Sequence, residues 1–373
     1  MATQTEINQY IQTENLCAQP ADQAGIALRD QFPDITVEQF VTGFQDTCNW
    51  DARTINVALA AVEWHTPHLM RDNMDDHGLN PSTGTLYRSP DIIPQQQNYS
   101  TAEAETRFGG SNWNKAYYNN IEYGQDNYIY LRVQNLSTLP ERATLRVHLF
   151  WSRTSSFPNP SEWNPINPQT DGNGNTYTTT VTGLGPEEKR VLGPIVWAKD
   201  DIPEEGHYCL IGYVESDQDL FDRPEDYFTP DSTSEDFRFW VQDNDNVAWR
   251  NINVVDYQPN VSGFAAPQPT YTFFMEGLPH SQDTHALEMA TDLPSGSQLR
   301  ITYGQEEHNL KAPGNNNPIT IADNINLGPK QKLEVAVYVT MPPKAQPGMY
   351  LTGFAQKQAG NELGGVSFLL RVS

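Results

Sequence analysis

The chain has 373 residues, of which 37% are hydrophobic, 11% aromatic and 19% charged. This length accommodates two or three domains that each bury a core, and the abundance of aromatic residues excludes a disordered chain. The formal net charge of −24 argues against nucleic acid or an anionic membrane surface as a partner, because like charges repel.

The negative charge is distributed unevenly. Residues 199–245 contain fifteen Asp or Glu and three Lys or Arg, a balance of −12, whereas residues 259–373 contain nine acids and seven bases, a balance of −2. An acidic surface of this kind suits a cation or a basic protein surface.

Residues 1–75 are predicted to form two or three helices that end near Trp64. Helical spacing of apolar residues occurs at 26–28, 37–44 and 55–62, and Asp34 or Thr36 can cap the second helix. This segment is either a packing cap on the next domain or a docking segment. Cys17 and Cys48 can pair if it forms a helical hairpin.

Alternating strand patterns follow. In residues 127–135 (NYIYLRVQN), Ile129, Leu131 and Val133 share one face, and residues 145–151 alternate in the same way. Within residues 206–216 (GHYCLIGYVES), residues 209–214 are apolar on both faces, which indicates a central strand with Cys209 as a buried hydrophobe. Further strands are predicted at 176–181, 191–197, 237–241 and 248–255, with long loops at 98–120 and 155–174.

A second run of seven strands begins after a linker near residue 259, with turn residues at the spacing of a β-sandwich. The fold class predicted is mainly β, with two immunoglobulin-like β-sandwiches in tandem and a small N-terminal α-helical segment. The domains predicted are residues 1–75, 76–258 and 259–373.

Several phrases in the first sandwich together resemble a known family: SPDI (89–92), GQDNYIYLRVQN (124–135), VHLFW (147–151), Trp163 and GHYCLI (206–211). Residues 86–257 resemble the CARDB-like, immunoglobulin-like accessory domains of bacterial adhesion-type proteins. The resemblance implies the fold and a bacterial origin, and it carries no catalytic residues over. Cys209 lacks the cysteine partner on the strand at 128–133 that true immunoglobulin domains have.

No segment has the basic start and apolar run of a secretory signal, and none reaches the eighteen apolar residues of a membrane span. We therefore expect a bacterial protein that is cytoplasmic or exported by a route without a cleavable signal peptide. Phosphate-loop, dinucleotide, HExxH and GxSxG motifs are also missing, so the sequence predicts no enzyme.

The histidines His65, His68 and His77 are candidate zinc ligands. Asp72, Asp75 and Asp76 lie near them in the sequence and could complete a site. Pro67 interrupts any helix that would orient the first two histidines, and a polar domain junction explains the residues equally well. A metal-dependent hydrolase is the alternative function that follows from this cluster.

A second group is acidic. Asp217, Asp219, Asp222 and Asp226 fall in one predicted loop, and Asp243 and Asp245 follow a later strand. Loop carboxylates at one end of a sandwich can bind Ca²⁺, although the spacing is not that of an EF-hand. Calcium is therefore the candidate cofactor, and a calcium-dependent lectin-like module is a further alternative; the competing interpretation is a solvated acidic loop.

A third group is aromatic and lies in the two long loops: Trp113, Tyr117, Tyr118 and Trp163. Exposed rings could stack on sugars or anchor a protein partner, and the alternative is that they fold back onto the sandwich. The sequence thus favours a non-catalytic binding or assembly protein with a protein or glycan partner. A component or cargo adaptor of an injection system would fit it.

Overall fold

A computed structural model of the chain describes residues 2–50, 52–62, 68–78, 81–136, 144–170, 172, 174, 176–185, 187–215, 223–229, 231–256, 270–314 and 316–373. The N-terminal region contains four helices in its described part: α1 (Gln4–Thr13), α2 (Ala21–Gln31), α3 (Val37–Cys48) and α4 (Ala52–Ala61). Their apolar faces meet in a core of their own, which includes Ile7, Ile11, Phe40 and Phe44.

The sequence prediction of two or three helices missed α1. A capping box between Thr3 and Glu6 starts this helix, and Ile7 and Ile11 bury one side of it at the i, i+4 spacing. The expected pairing of Cys17 with Cys48 is confirmed, since a disulfide joins them with Cα atoms 5.1 Å apart. Cys209 is a free, buried thiol, also as expected.

The first β-sandwich contains two sheets. One has β3 (Asn127–Asn135) at its centre, flanked by β1 (His68–Leu69) and β2 (Ile92–Gln95) on one side and β9 (Lys189–Trp197) on the other. The other runs β11-β10-β4-β5 with β8 beside β4, and a short hairpin joins β6 to β7. The bounds of those strands are β4 (Leu145–Arg153), β5 (Asn164–Pro165), β6 (Gln169–Thr170), β7 (Thr176–Tyr177), β8 (Thr179–Val181), β10 (Tyr208–Glu215) and β11 (Val247–Arg250).

The second sandwich packs a five-stranded sheet, in the order β12-β20-β19-β14-β17, on a four-stranded sheet, β13-β18-β15-β16. Its strands are β12 (Ile252–Asp256), β13 (Tyr271–Glu276), β14 (Asp283–Thr291), β15 (Gln298–Tyr303), β16 (Glu306–Lys311), β17 (Ile319–Leu327), β18 (Lys332–Thr340), β19 (Gly348–Gln358) and β20 (Asn361–Val372). The prediction of a mainly β fold with immunoglobulin-like sandwiches and an N-terminal helical segment is confirmed. β16 was not predicted, because EEHNLK has little apolar alternation.

The strand predicted at 248–255 is two strands that belong to different sheets. β11 pairs with β10 of the first sandwich, whereas β12 runs parallel to β20 of the second. Between them, the buried Asn251 donates from Nδ2 to the carbonyls of Ser155 at 2.6 Å and Gly365 at 2.8 Å. One continuous segment therefore contributes a strand to each sandwich.

The strand predicted at 237–241 is instead part of helix α7 (Ser234–Gln242). A capping box between Thr233 and Asp236 starts the helix, and the buried Phe237, Trp240 and Val241 follow the i, i+3, i+4 spacing. In the same way, the loop predicted at 98–120 contains helix α5 (Thr101–Phe108), which Ser100 and Glu103 cap. A short helix, α6 (Pro224–Tyr227), lies between β10 and α7. No helix in the described ranges is long and apolar enough to cross a membrane.

Candidate functional site

An open cleft of about 410 Å³ lies where loops of the first sandwich meet a turn of the second. Aromatic rings of Phe150, Trp163 and Phe228 form part of its lining. The remaining lining residues are small, polar or charged and come from three separate segments: Asn159, Pro160, Ser161, Pro224, Glu225, Thr229, Ser232 and Lys330. A volume of this size lies within the range of about 300–1,000 Å³ that is common for ligand sites.

Local turn chemistry places each ring. Asn159 caps a 3₁₀ turn (Pro160–Glu162) by accepting hydrogen bonds from the N–H and hydroxyl of Ser161 at 3.0 and 2.7 Å, and Trp163 follows that turn. The Nε1–H of Trp163 donates to the carbonyl of Pro158 at 3.2 Å. Phe228 ends α6, and its N–H donates to the carbonyl of Pro224 at 2.9 Å.

The aromatic rings that line the cleft pack against the buried face of α7. The ring centroid of Trp163 lies 5.6 Å from those of Phe150 and Phe237, and 5.8 Å from that of Trp240. The ring of Phe228 lies 5.3 Å from Trp240. Trp163 is half-buried, so part of its ring faces the cleft while the rest packs on the core.

The second sandwich contributes charged groups near the cleft. Nζ of Lys332 lies 2.5 Å from Oε2 of Glu162 and 3.9 Å from Oε2 of the buried Glu276. Burial raises the pKa of Glu276 to about 7, against the opposing effect of Lys332. One ion pair, between Lys332 and Glu162, therefore joins the two sandwiches beside the cleft.

Glu215 is a buried carboxylate with three nitrogen-bearing neighbours. Glu215, at the end of β10, contacts His148 at 3.1 Å, Arg146 at 3.2 Å and Arg223 at 2.8 Å. Burial alone would raise the pKa of Glu215, but these partners lower it to about 2. Arg223 follows the acidic segment and Glu215 precedes it, so their ion pair holds the two ends of that segment together.

Three of the four aromatic candidates lie elsewhere, clamped by arginines. Trp113 is 4% exposed, and the guanidinium carbons of Arg71 and Arg132 lie 5.3 and 5.7 Å from its ring centroid. Tyr117 lies 5.2 Å from Arg132, and Tyr118 lies 5.8 Å from Arg250. Of the predicted aromatic group, only Trp163 lines the cleft.

These arginines are buried and bind the loop through its backbone. Arg132 donates to the carbonyls of Phe108, Asn112 and Lys115 at 2.9 to 3.1 Å, and burial lowers its pKa to about 10. Arg71 forms a two-pronged ion pair with Asp91, with the shorter contact at 2.6 Å. The loop at 109–118 is thus hydrogen-bonded through its backbone to arginines of the first sandwich.

Two of the three histidine zinc candidates, His68 and His77, lie within the described residues. His68 is completely buried in β1 and His77 is exposed, while His65 lies outside the described residues. Asp72 and Asp76 are buried beside each other, and the backbone N–H of Asp72 donates to Oδ2 of Asp76 at 2.9 Å. Burial and the neighbouring Asp76 raise the pKa of the Asp72 carboxyl well above its usual range.

Of the calcium candidates, Asp217, Asp219 and Asp222 lie outside the described residues, and Asp226 is exposed on α6. Among the residues that are described, no three His, Cys, Asp or Glu side chains are arranged to hold a metal ion. The calcium site at 217–226 stays a prediction, as does the zinc site that includes His65.

Comparisons with solved structures return distant likenesses. No protein-family model matches the chain, and a search of curated proteins finds no match. The N-terminal domain of PorA is 12% identical, with coverage of 35% of this chain and 93% of that one and a TM-score of 0.20. The CupB6 tip adhesin from Pseudomonas aeruginosa is 10% identical, with coverage of 67% and 88% and a TM-score of 0.16. Scores this low carry no conclusion about function.

Proposed function

We propose that this chain is a binding or assembly protein that holds a basic segment of a partner protein in the cleft at Phe150, Trp163 and Phe228. The observation that supports this most directly is a concave aromatic surface that is lined in part by the most acidic segment of the chain. Residues 199–245 carry a balance of −12, and Glu225 lies in the cleft lining.

The chemistry of the lining favours such an occupant. Lys and Arg side chains gain energy over aromatic faces and pair with carboxylates, so rings next to Glu225 suit a Lys or Arg that enters from the partner. The hydroxyl and amide groups of Ser161, Thr229 and Asn159 can bind the partner backbone. A role in assembly, such as that of a cargo adaptor, belongs to this proposal because an adaptor needs a recognition cleft and no chemistry.

An array of immobilised 12-residue peptides with net charges from −4 to +4 tests the proposal. We expect the full chain to bind basic peptides selectively, with affinity that falls as salt rises. Ser161→Lys should reduce binding at least about tenfold, which corresponds to about 1.4 kcal/mol. Ser161 is exposed, so this variant fills the cleft and adds a positive charge while the fold is retained.

The matched control is Ser295→Lys, which adds the same charge at the exposed turn before β15, near the end of the second sandwich that lies away from Lys330. A second pair compares Glu225→Gln with Glu205→Gln, an exposed acid of the same segment that does not line the cleft. Equal binding of acidic and basic peptides, or equal losses for the cleft and control variants, would overturn the proposal. If neutral oligosaccharides bind and Ser161→Lys blocks that binding, the ligand of the cleft is a glycan and not a peptide.

A further inference from the structure

A second concave surface lies on the outer face of the four-stranded sheet, away from the cleft. It encloses about 390 Å³ and is lined by residues of β15, β16 and β18: Gln298, Leu299, Arg300, Asn309, Leu310, Lys311, Tyr338 and Thr340. Strand register aligns them in two rows across the sheet. Lys311, Gln298 and Thr340 form one row, and Asn309, Arg300 and Tyr338 form the other.

Period-two alternation explains why these side chains are polar. The intervening residues Leu299, Val337 and Val339 point into the sandwich core, so their neighbours face outward. Six hydrogen-bonding side chains therefore converge on one patch. Amide, hydroxyl, guanidinium and ammonium groups are all represented, and none of the six is a carboxylate.

The patch is locally positive on an acidic molecule. The guanidinium carbon of Arg300 lies 3.6 Å from the ring centroid of Tyr338, which holds the guanidinium flat against the sheet face. Lys311 is exposed, and no carboxylate of the described residues lies within 4.0 Å of it. Residues 259–373 carry a balance of only −2, and charges farther than about 8 Å are screened at physiological salt.

One carboxylate occupies part of the Arg300 fork. Oε2 of Glu307 lies 3.3 Å from Nη1 of Arg300, and both side chains are partly exposed. An exposed pair of this kind contributes little to stability, so an incoming anion can exchange with it. Glu307 thus acts as an internal competitor for the position where a ligand carboxylate would sit.

We propose that this patch binds a carboxylated sugar. Arg300 and Lys311 bind the carboxylate, since a guanidinium matches its two oxygens in a planar fork. Asn309, Gln298 and Thr340 bind the ring hydroxyls. The volume is that of a small-ligand site, and the charge complementarity excludes neutral sugars as the preferred ligand. This site is independent of the cleft in the first sandwich and of the partner proposed for it.

Isothermal titration calorimetry of the full chain with trigalacturonate and with sialyllactose tests the site. We expect at least one of the two acidic sugars to bind, and the matching neutral probe, methyl-esterified trigalacturonate or lactose, to bind at least about tenfold more weakly. Arg300→Ala should reduce binding of the acidic probe at least about tenfold. Glu307→Gln should strengthen it, because it removes the competitor.

Arg371→Ala is the matched control, since Arg371 is a partly exposed arginine that pairs with Asp256 at 3.3 Å on the other sheet of the same sandwich. Its affinity for the acidic probe should equal that of the unmodified chain. The proposal is overturned if neither acidic sugar binds, if the neutral counterparts bind equally well, or if Arg300→Ala and Arg371→Ala have the same effect. Failure here leaves the peptide test of the cleft unaffected, because Ser161 and Glu225 lie on the first sandwich.

Discussion

Glu215 is a buried carboxylate of the first β-sandwich that depends on its ion-pair and hydrogen-bond partners. Arg146, Arg223 and His148 share its two oxygens, and removing one member of such a buried group leaves the others uncompensated. We predict that Glu215→Gln lowers the free energy of unfolding by roughly 3 kcal/mol at pH 7, as measured by urea titration.

The pH dependence of the same variant has a defined sign. The folded-state pKa of Glu215, about 2, lies below the unfolded value of 4.5. Its stabilisation is therefore present above pH 4.5 and is lost as pH falls from 4.5 toward 2. In Glu215→Gln, the free energy of unfolding should therefore fall less steeply as the pH drops from 4.5 toward 2. Glu204→Gln is the control, because Glu204 pairs with Arg153 at the surface and its loss should cost less than about 1 kcal/mol. Equal effects of the two variants would contradict this assignment.

Glu276 lies at the junction of the sandwiches. Its effect on the pH dependence of stability should be opposite to that of Glu215. Its folded-state pKa is raised from 4.5 to about 7, so the folded protein holds a proton that the unfolded chain has released. Stability from this group is complete below pH 4.5 and declines as pH rises through 7. We predict that Glu276→Gln melts at a higher temperature than the unmodified chain at pH 8, and that the difference shrinks as the pH falls and vanishes below pH 4.5.

Glu288→Gln is the control for this measurement, since Glu288 pairs with Lys357 at 2.7 Å on the surface of the same sandwich. A Glu276→Gln variant that melts lower than the unmodified chain at pH 8 would show that the ion pair with Lys332 outweighs the burial of the carboxyl.

At the scale of elements, α7 supports the cleft from behind. Its capping box satisfies backbone N–H groups that would otherwise lack partners, and Phe237 and Trp240 on its buried side contact Trp163. We predict that Thr233→Ala lowers the free energy of unfolding by about 1 kcal/mol, whereas Thr233→Ser, which keeps the hydroxyl, costs only a few tenths. Thermal denaturation measures both. Equal costs would mean that the hydroxyl does not cap the helix.

The same helix shows where prediction from sequence ends. FRFWV fits both a two-residue and a 3.6-residue period over five residues, so its pattern alone cannot separate strand from helix. The capping box at Thr233 and Asp236 was present in the sequence and would have decided the question. The strand β3 was predictable because nine residues of alternating pattern leave no such ambiguity, whereas β10, which is apolar on both faces, was recognised as a strand by its short length of eight residues.

The candidate site was predictable only in part. Trp163 was identified from its loop, but Phe150 belongs to a strand and Phe228 follows a helix, and only tertiary folding brings them together. The contact between Arg71 and Trp113 was equally unpredictable from sequence, since the two residues are 42 positions apart in the chain. Sequence spacing shows which aromatic rings lie in loops. Whether such a ring is exposed depends on contacts with arginines that are distant in the sequence.

At the scale of the whole molecule, the two sandwiches are joined by more than a linker. β11 and β12 are consecutive in the chain but pair in different sandwiches, and Asn251 between them bonds to both. The backbone of β20 also approaches the first sandwich closely. A Cβ atom at Gly364 would lie 2.0 Å from the carbonyl oxygen of Ser156, closer than any real contact. Because the interface admits no side chain there, we expect the two sandwiches to unfold together.

Differential scanning calorimetry can test this coupling. The unmodified chain should show one transition for both sandwiches, with equal calorimetric and van't Hoff enthalpies. Gly364→Ala should split it into two, because the added methyl separates the β20 backbone from Ser156 while each sandwich keeps its own core. Gly348→Ala, on the open side of β19 with no neighbour nearer than 3.9 Å, should leave the single transition intact. Two transitions in the unmodified chain would instead mean that the shared segment at Asn251 joins two independently stable sandwiches. In that case the cleft between their loops could open without either sandwich unfolding.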